Sequence, residues 1–420
     1  MDGKRFIVMV FSLIFILVGI SSYYMLYKIY RKEFPVYDLF DDMSVLSISA
    51  SLGEDEWKVM RNEVFPDFER RHGCRIRAVN IEAGDTLKKI EVMHKAGKMG
   101  IDVLFLDNMN LAPYVEKRLV LNLNRYRDIM DKNVYDSLVK PLDFNGRLMF
   151  FPGRPNVQIT YYNTDIFDGK KYKIPQTWDE LLDVAKRLKK EYGTGKVAIH
   201  GTLDANTTSH VFEFVEAAGG DITDLNDPGT IKAFAFLKRL YPYLSVETKK
   251  ANWNTTNKFL SEESIYLGKN WPFGMNIIVK QNGKNNIKAY DTWAGPEGKA
   301  TMIGGDVIAI TKRSKKHELA LEFAKYLMSK DVQKVFVQKL GWPPIRNDVL
   351  GKVPKWQRPF FNAVMNALKH GKYRPAIMGW SVVDKYVNKA FKDIVIDQGD
   401  VKTILKRYAS KMDEELKWLK

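Results

Sequence analysis

The feature that most constrains the fold is a pair of apolar runs separated by prolines, in residues 146–167, GRLMFFPGRPNVQITYYNTDIF. The runs at 148–151 and 157–162 are rich in aromatic and β-branched side chains, which favour β-strands. Between them, residues 152–155 read Pro-Gly-Arg-Pro. Because a proline has no backbone N–H and a fixed φ, this interruption argues against one continuous central strand. We interpret the segment as a crossover between two α/β lobes.

Strand and helix patterns alternate on both sides of this crossover. The run IDVLFL at 101–106 has no polar residue after its first aspartate, which is typical of a strand buried on both faces of a parallel sheet. A second crossing is predicted at 301–310, TMIGGDVIAI, and a third at 341–346, GWPPIR. Three passes imply that neither lobe is continuous in sequence. A chain of 420 residues is long enough for two such lobes, which would close around a ligand by a hinge.

The charge of the chain does not predict a nucleic-acid partner. Lys and Arg number 66 and Asp and Glu 50, for a net charge of +16. The basic residues are spread along the chain with acidic ones between them, so we interpret them as the solvent-facing sides of helices. A single cysteine, Cys74, excludes a disulfide within the chain and a cysteine-rich metal site.

The N-terminal 27 residues predict insertion into a membrane or export through one. Lys4 and Arg5 precede an uncharged stretch at 6–20, and the apolar character continues to residue 27. Spanning a bilayer takes roughly 20 residues. A cleaved secretory signal is one alternative, with Gly19 and Ser21 as small residues near the cut. The length and the tyrosine-rich end favour an uncleaved anchor, with the remainder of the chain outside the cytoplasm.

Candidate ligand-binding residues follow the predicted strands. Asp107, Asn108 and Asn110 come directly after 101–106, and ligands of α/β sheets bind at the carboxyl ends of strands. A helix cap and turn is the alternative. Several tryptophans lie in or beside predicted loops, where each could stack on a sugar face or simply pack between elements. These are Trp253, Trp271, Trp293, Trp342 and Trp380.

Catalytic and cofactor motifs are not found in the sequence. No phosphate-binding loop, dinucleotide fingerprint, zinc-protease motif or nucleophile elbow is present, so we predict no enzyme activity, no cofactor and no metal. Two alternatives stay open. Tyr161 and Tyr162 could hold a ferric ion or an anion, although alternation along a strand sends the two rings to opposite faces. A secreted carbohydrate-active enzyme would need two carboxylates across a cleft.

Several segments, in order, resemble the extracellular solute-binding proteins of ABC importers, of the maltose-binding type. The resemblance rests on VQITYYNTDIF followed by IPQTWDELLDVAKRL, then on EAAGGD, LGKNWPFGMNI and GPEGKATMIGGDVIAITKRSKKHELALEFAKYLMS, and it covers nearly everything from residue 45 onward. It implies a two-lobed periplasmic-binding-protein-like α/β fold, each lobe a mainly parallel sheet flanked by helices and hinged by crossover strands. The expected segments are an anchor or signal and linker at 1–43, an N-terminal lobe at 44–154 and 303–342, and a C-terminal lobe at 155–302 and 343–420.

The resemblance also implies a function and a set of binding residues. The chain would capture a sugar or oligosaccharide between its lobes and deliver it to permease subunits, as a monomer tethered through its N-terminal segment. The implied ligand-binding residues are Glu82, Asp107, Asn108, Asn110, Ser209, His210, Asn270, Trp271, Gly305, Asp306, Arg346 and Trp380. Sugar binders of this type often carry an aromatic residue after the IDVLFL-like strand, where this chain has Asp and Asn. The type of sugar therefore stays open.

Overall fold

A computed structural model describes residues 45–418, apart from 82, 109, 110, 145, 350–352, 376 and 378. The predicted N-terminal anchor and the predicted site residues Glu82 and Asn110 lie outside the described residues. Among the residues that the structure describes, no helix is both long and apolar enough to cross a membrane. From Leu46 onward the described residues form one compact unit.

The described strands and α-helices alternate along most of the chain. The strands are β1 Val45–Ala50, β2 Arg75–Asn80, β3 Val103–Asp107, β4 Asp143–Phe144, β5 Arg147–Leu148, β6 Phe151–Val157, β7 Ile159–Asn163, β8 Val197–Ala198, β9 Leu267–Asn270, β10 Ile287–Tyr290, β11 Ala294–Gly295, β12 Gly298–Lys299, β13 Thr301–Ile310 and β14 Gly371–Tyr373. The helices are α1 Glu54–Val59, α2 Phe65–His72, α3 Ala83–Lys95, α4 Ala112–Glu116, α5 Asp136–Val139, α6 Trp178–Tyr192, α7 Ala205–Ala217, α8 Pro228–Leu240, α9 Thr255–Ser261, α10 His317–Leu327, α11 Lys330–Val335, α12 Arg358–Leu368, α13 Trp380–Ala390 and α14 Val401–Lys417.

The larger sheet has the order β14-β13-β3-β1-β2, and β6 pairs with β13 on its other side. β1 and β3 are parallel, with Ile48 opposite Val103, whereas β13 runs antiparallel to both β3 and β6. The smaller sheet has the order β10-β7-β9-β8, in which β7 is antiparallel to both neighbours. The sheets are therefore mixed rather than mainly parallel, because the crossing strands traverse them against the direction of the βα strands.

The proline-containing segment is one strand, and our expectation of an interrupted strand was wrong. β6 runs unbroken for 7 residues from Phe151 to Val157. Among the described strands it pairs with β13 alone, so it lies at an edge, where a proline's missing N–H costs no ladder bond. The register of this pair shifts between Asp306 and Val307, a bulge that accommodates the irregular backbone.

The start of α6, the helix after the crossover, is fixed by side chains close to it in sequence. The backbone N–H of Glu180 donates to Thr177 Oγ1 at 3.3 Å, and the N–H of Gln176 donates to Glu180 Oε2 at 2.6 Å. In a standard capping box the glutamate accepts from the N–H of the capping residue, which is Thr177 here. In this helix it accepts instead from the preceding residue, Gln176. This reciprocal cap fixes the start of α6.

Two large apolar cores hold the described residues together. One contains the inner face of the larger sheet, including Ile48, Leu104 and Ile303; the other contains α6, α7 and α8, with Leu181, Phe212 and others. Met302 packs into the second core and its neighbour Ile303 into the first. β13 therefore connects the two cores within a single step of the chain. The predicted lobe boundaries stay a prediction. Tyr161 falls in the segment predicted for the C-terminal lobe, but its side chain packs into the first core.

Candidate functional site

Two glycines of β13 bring three chain segments into close approach. A Cβ on Gly305 would lie 2.0 Å from the carbonyl oxygen of Arg154, and its φ of +102° is one that L side chains rarely adopt. A Cβ on Gly304 would lie 2.8 Å from Cη2 of Trp271. The Trp271 indole therefore rests directly on the backbone of the crossing strand. We call the group formed by Gly304, Gly305, Trp271 and the residues in the next two paragraphs the crossing site.

The carboxyl end of β3 reaches the same point. Asp107 is opposite Asp306 in the antiparallel β3–β13 register. Asn108 Nδ2 donates a hydrogen bond to the carbonyl oxygen of Ile303 at 3.1 Å. The sheet thus places both predicted polar residues beside the glycines, as expected for the end of a buried strand.

A charged cluster ties the three crossings together at this site. Arg154 forms ion pairs with Asp306, at 2.6 Å from Nη2 to Oδ2, and with Glu56, at 2.9 Å from Nη1 to Oε1. Its guanidinium lies 4.6 Å from the ring centroid of Trp342, whose Nε1 donates to Glu56 Oε1 at 3.1 Å. Burial raises the pKa of the Asp306 carboxyl, and the charge of Arg154 opposes this shift.

We call residues 270–274, which include Trp271, the aromatic turn. Hydrogen bonds of buried side chains hold this turn in place. Tyr161 Oη donates to the carbonyl oxygen of Trp271 at 2.9 Å. The next aromatic residue, Phe273, contacts Trp253 in an edge-to-face arrangement, with 5.8 Å between the ring centroids. The Trp253 side chain is half exposed. Asn270 is fully buried, and its Nδ2 donates to Asn257 Oδ1 at 2.7 Å. Asn270 therefore supports the turn from the interior.

A second tryptophan and an arginine lie beside the crossing strand. β14 is parallel to the start of β13, with Tyr373 opposite Ile303, so Arg374 continues toward Gly304. Its guanidinium carbon lies 4.5 Å from the ring centroid of Trp380. Burial lowers the pKa of Arg374 to about 10, with the charges of Asp384 and Asp107 acting in the opposite direction. Asp107 thus lies within electrostatic reach of Arg374.

The predicted site residues divide into two groups. The structure brings together Asp107, Asn108, Trp271, Gly305 and Asp306, with Trp380 alongside through Arg374. Ser209 and His210 instead lie on the buried side of α7, where Ser209 Oγ donates to the carbonyl of Ala205 at 2.7 Å. His210 Nδ1 accepts from the N–H of His200 at 3.0 Å, and the two imidazoles stack at 4.0 Å.

Arg346 is a buried structural residue. Its guanidinium forms ion pairs with Asp348, at 2.8 Å from Nε to Oδ1, and with Asp131, at 3.1 Å. A further hydrogen bond reaches the carbonyl of Met328. These contacts account for its charge without a ligand.

The predicted set did not include Gly304, Glu56, Arg154 and Trp342 of the crossing site, nor the adjacent Arg374. The sequence places Trp342 in the third predicted crossing and among the loop tryptophans, but not among the implied ligand-binding residues. Arg154 stood within the Pro-Gly-Arg-Pro segment, where a charged residue between prolines was a usable signal. Glu56 and Arg374 belong to no motif, since their positions depend on tertiary packing.

The crossing site combines flat aromatic faces with fixed polar groups. Such a surface suits a polar ligand with apolar ring faces, because the indoles can stack and the carboxylates, amide and guanidinium can hydrogen-bond in the ring plane. The tyrosine pair does not converge there. The Tyr161 hydroxyl is used by Trp271, whereas the Tyr162 ring packs at 6.0 Å against Tyr290. Among the described residues, no cluster of three or more His, Cys, Asp or Glu side chains could hold a metal ion.

A separate hollow of about 390 Å³ lies on the helical surface between α2, α10 and α11. Asp67, Arg71, Glu322 and Lys325 are among its lining residues. None of its lining residues belongs to the crossing site. Its walls are formed mainly by charged side chains of exposed helix faces.

The fold is shared with solved sugar-binding proteins. The cyclic α-maltosyl-1,6-maltose binding protein of Arthrobacter globiformis superposes with a TM-score of 0.76 at 16% identity, covering 89% of this chain and 99% of that one. Maltose-bound MalE3 of T. maritima gives 0.69 at 20% identity, covering 88% and 99%. An ABC transporter solute-binding protein of Thermotoga lettingae bound to α-D-tagatose gives 0.70 at 21%, covering 89% and 100%. The predicted two-lobed, periplasmic-binding-protein-like α/β fold is confirmed.

A family model shows more than the fold. The model for bacterial extracellular solute-binding proteins matches residues 63–361, which is more than half of the chain. It includes the crossing strands β6 and β13 and the aromatic turn. The resemblance seen in the sequence is confirmed, and a family of this kind acts outside the cytoplasm as a binding protein. The chain belongs to the family of bacterial extracellular solute-binding proteins.

Proposed function

We propose that this protein is the substrate-binding component of an ABC importer and captures a sugar or oligosaccharide in a cleft between its lobes. The observation that carries the proposal is the Trp271 indole seated on Gly304 of the crossing strand, with Asp107 and Asn108 beside it. An aromatic plane next to fixed carboxylate and amide groups matches the apolar faces and hydroxyl rim of a pyranose. The sugars named for the solved neighbours above support the same ligand class.

The lobes would close about the two paired strands β6 and β13. Both pass between the regions that we assign to different lobes, 44–154 with 303–342 and 155–302 with 343–420. Closure requires a few backbone positions that absorb a change in dihedral angles. Gly305, at a φ of +102° and beside the β13 bulge, is the best candidate. Delivery of the ligand would follow docking of the closed form on permease subunits.

Residues 1–43 would act as a membrane anchor rather than a cleaved signal. The proposal rests on the uncharged stretch at 6–20 and the tyrosines that follow it. Fractionation of cells that express the full chain would show the protein in the membrane pellet. Recovery of a soluble form that lacks these residues would refute the anchor.

A thermal-shift screen of neutral and acidic mono-, di- and oligosaccharides tests ligand capture. Binding to the folded state alone stabilises it by about 2.7 kcal/mol when the ligand is at a hundredfold its Kd. We expect at least one saccharide to raise Tm, with inert polyethylene glycol as the crowding control. If no saccharide raises Tm above that control, the sugar-binding proposal is wrong.

A further inference from the structure

Arg374 is a partly buried arginine for which the described residues supply no hydrogen bond and no ion pair. Its one close contact of note is the Trp380 ring, 4.5 Å from the guanidinium carbon. The other two arginines described above are neutralised: Arg154 by Glu56 and Asp306, and Arg346 by Asp348 and Asp131. Arg374 therefore differs from them in carrying a positive charge that no described side chain pairs.

The position of Arg374 places this charge at the crossing site. Tyr373 is opposite Ile303 in the parallel β14–β13 pair, so the next residue lies alongside Gly304, on which Trp271 rests. The charge of Asp107 acts on the guanidinium, which is a second sign of their proximity. A ligand stacked on Trp271 would have its edge within the reach of Arg374.

The environment of Arg374 prepares it for an external anion. Removing a guanidinium from water without a partner is unfavourable, and burial accordingly lowers the pKa of Arg374 to about 10. Stacking on an indole fixes the plane of the guanidinium and leaves its N–H edge free. A fixed, planar fork of donors is complementary to a carboxylate, which it can bind with two parallel hydrogen bonds.

The carboxylate of Asp384 acts on this charge but does not pair with it. Asp384 lies on α13, and burial raises the pKa of its carboxyl, while the Thr208 side chain, the Arg374 charge and the Trp380 side chain act in the opposite direction. It forms no ion pair with Arg374 within 4.0 Å in the described part of the chain. Asp384 thus lies near the stacked pair without neutralising the guanidinium.

We infer that Arg374 is a specificity-determining residue that binds a carboxylate substituent of the saccharide, so that the ligand class is an acidic sugar such as a uronate. The inference rests on the proposed function, because it assigns the ligand of the same site. The net charge of +16 adds a weak long-range attraction for anionic ligands. The sugars named for the solved neighbours above carry no carboxylate, so this assignment separates the chain from them.

Calorimetric titration with matched ligands tests the inference. Galacturonate and glucuronate, as monosaccharides and short oligomers, are compared with their methyl esters, which have the same rings without the charge. Each is titrated into the wild type, Arg374→Gln and Arg125→Gln. Arg125 is exposed and makes no described ion pair, so its replacement removes the same charge elsewhere. Unchanged far-ultraviolet circular dichroism verifies that each variant is folded.

We expect the wild type to bind one of the acids about tenfold to a hundredfold more tightly than its ester, the range of a charge-assisted bidentate pair. Arg374→Gln should lose this preference while retaining the weaker binding of the ester, and Arg125→Gln should keep it. Equal affinity for acid and ester, or an acid preference that survives Arg374→Gln, would overturn the inference. Binding of neutral sugars alone would overturn it and leave the proposed function standing. If no saccharide of either kind binds, both fail.

Discussion

Two ion pairs attach neighbouring segments to the crossing strand, and they differ in how far water reaches them. In the crossing site, the side chains of Arg154 and Asp306 are 23% and 15% exposed. In the second core, Lys269 and Glu213 form an ion pair at 1% and 4% exposure, and Glu213 Oε1 also accepts from the N–H of Met302 at 2.8 Å. One pair is partly open to solvent and the other is sealed.

This difference indicates separate roles for the two pairs. A sealed pair loses water on both partners, so it tolerates only the geometry in which both are satisfied, and it fixes α7, β9 and the start of β13 relative to one another. An open pair can exchange a protein partner for a ligand group at modest cost, because water or the ligand can replace the lost contact. We therefore expect the strand to be held more firmly at Met302 than at Asp306.

Breaking the sealed pair should give the largest loss of stability. Lys269→Met leaves Glu213 buried without its partner and removes the hydrogen bond from Nζ to Thr292 Oγ1, so we expect the free energy of unfolding to fall by about 3–5 kcal/mol. Arg154→Met should cost less, about 1–2 kcal/mol, since both side chains of that pair are partly exposed. Urea unfolding followed by circular dichroism measures both. Lys232→Met, on an exposed side of α8, controls for loss of a lysine.

A loss from Arg154→Met equal to or greater than that from Lys269→Met would contradict the distinction between the two pairs. Such a result would indicate that the stability of the fold depends on the Arg154 ion pairs at least as much as on the sealed pair. Arg154 would then be unable to rearrange around a ligand without unfolding.

Two buried histidines, His200 and His210, should make the stability of the protein sensitive to acid. Burial lowers the pKa of His200 from 6.5 to about 3 and that of His210 well below 6.5. Because the folded state resists protonation that the unfolded state accepts, stability is intact above pH 6.5. It is lost as pH falls toward 3, by about 1.4 kcal/mol per pH unit for each histidine.

His200→Phe should flatten this loss. The His200 ring nitrogens have no described hydrogen-bond partner, so a phenyl ring that stacks on His210 should cost little at pH 7.5. At pH 5 we expect the variant to lose about 2 kcal/mol less than the wild type loses between the same two pH values. His317→Phe is the control, since His317 is partly exposed. Identical pH profiles for His200→Phe and the wild type would refute the assignment.

The sequence predicted the elements of the crossing better than the side chains that meet there. The strand at 301–310 has the predicted bounds, because its apolar residues and flanking turns mark it. The position of Asp107 and Asn108 at the end of β3 was predictable because a buried strand defines its own carboxyl end. Pro152 and Pro155 led to a wrong break in β6, because an edge position cannot be recognised from one strand alone.

The sequence of a nearly uniformly buried helix does not indicate which of its side chains face the crossing site. In α7, every residue from Thr207 to Val215 is buried, so no polar face distinguishes Ser209 and His210 from ligand-facing residues. Arg374 was not found for a related reason. Its position at Gly304 follows from the β13–β14 register, which pairs residues about seventy positions apart and leaves no local signal.

A binding site built on the crossing strand is tested most directly by a double-mutant cycle on Gly304 and Trp271. The cycle is measured by calorimetric titration with a saccharide that stabilises the wild type. A Cβ at Gly304 would lie 2.8 Å from Trp271 Cη2, so Gly304→Ala should displace the indole. We predict that Gly304→Ala weakens binding about tenfold when it is introduced into the wild type. It should have no further effect when it is introduced into Trp271→Ala. Additive losses, or full affinity in Trp271→Ala, would contradict a binding site built on the crossing strand.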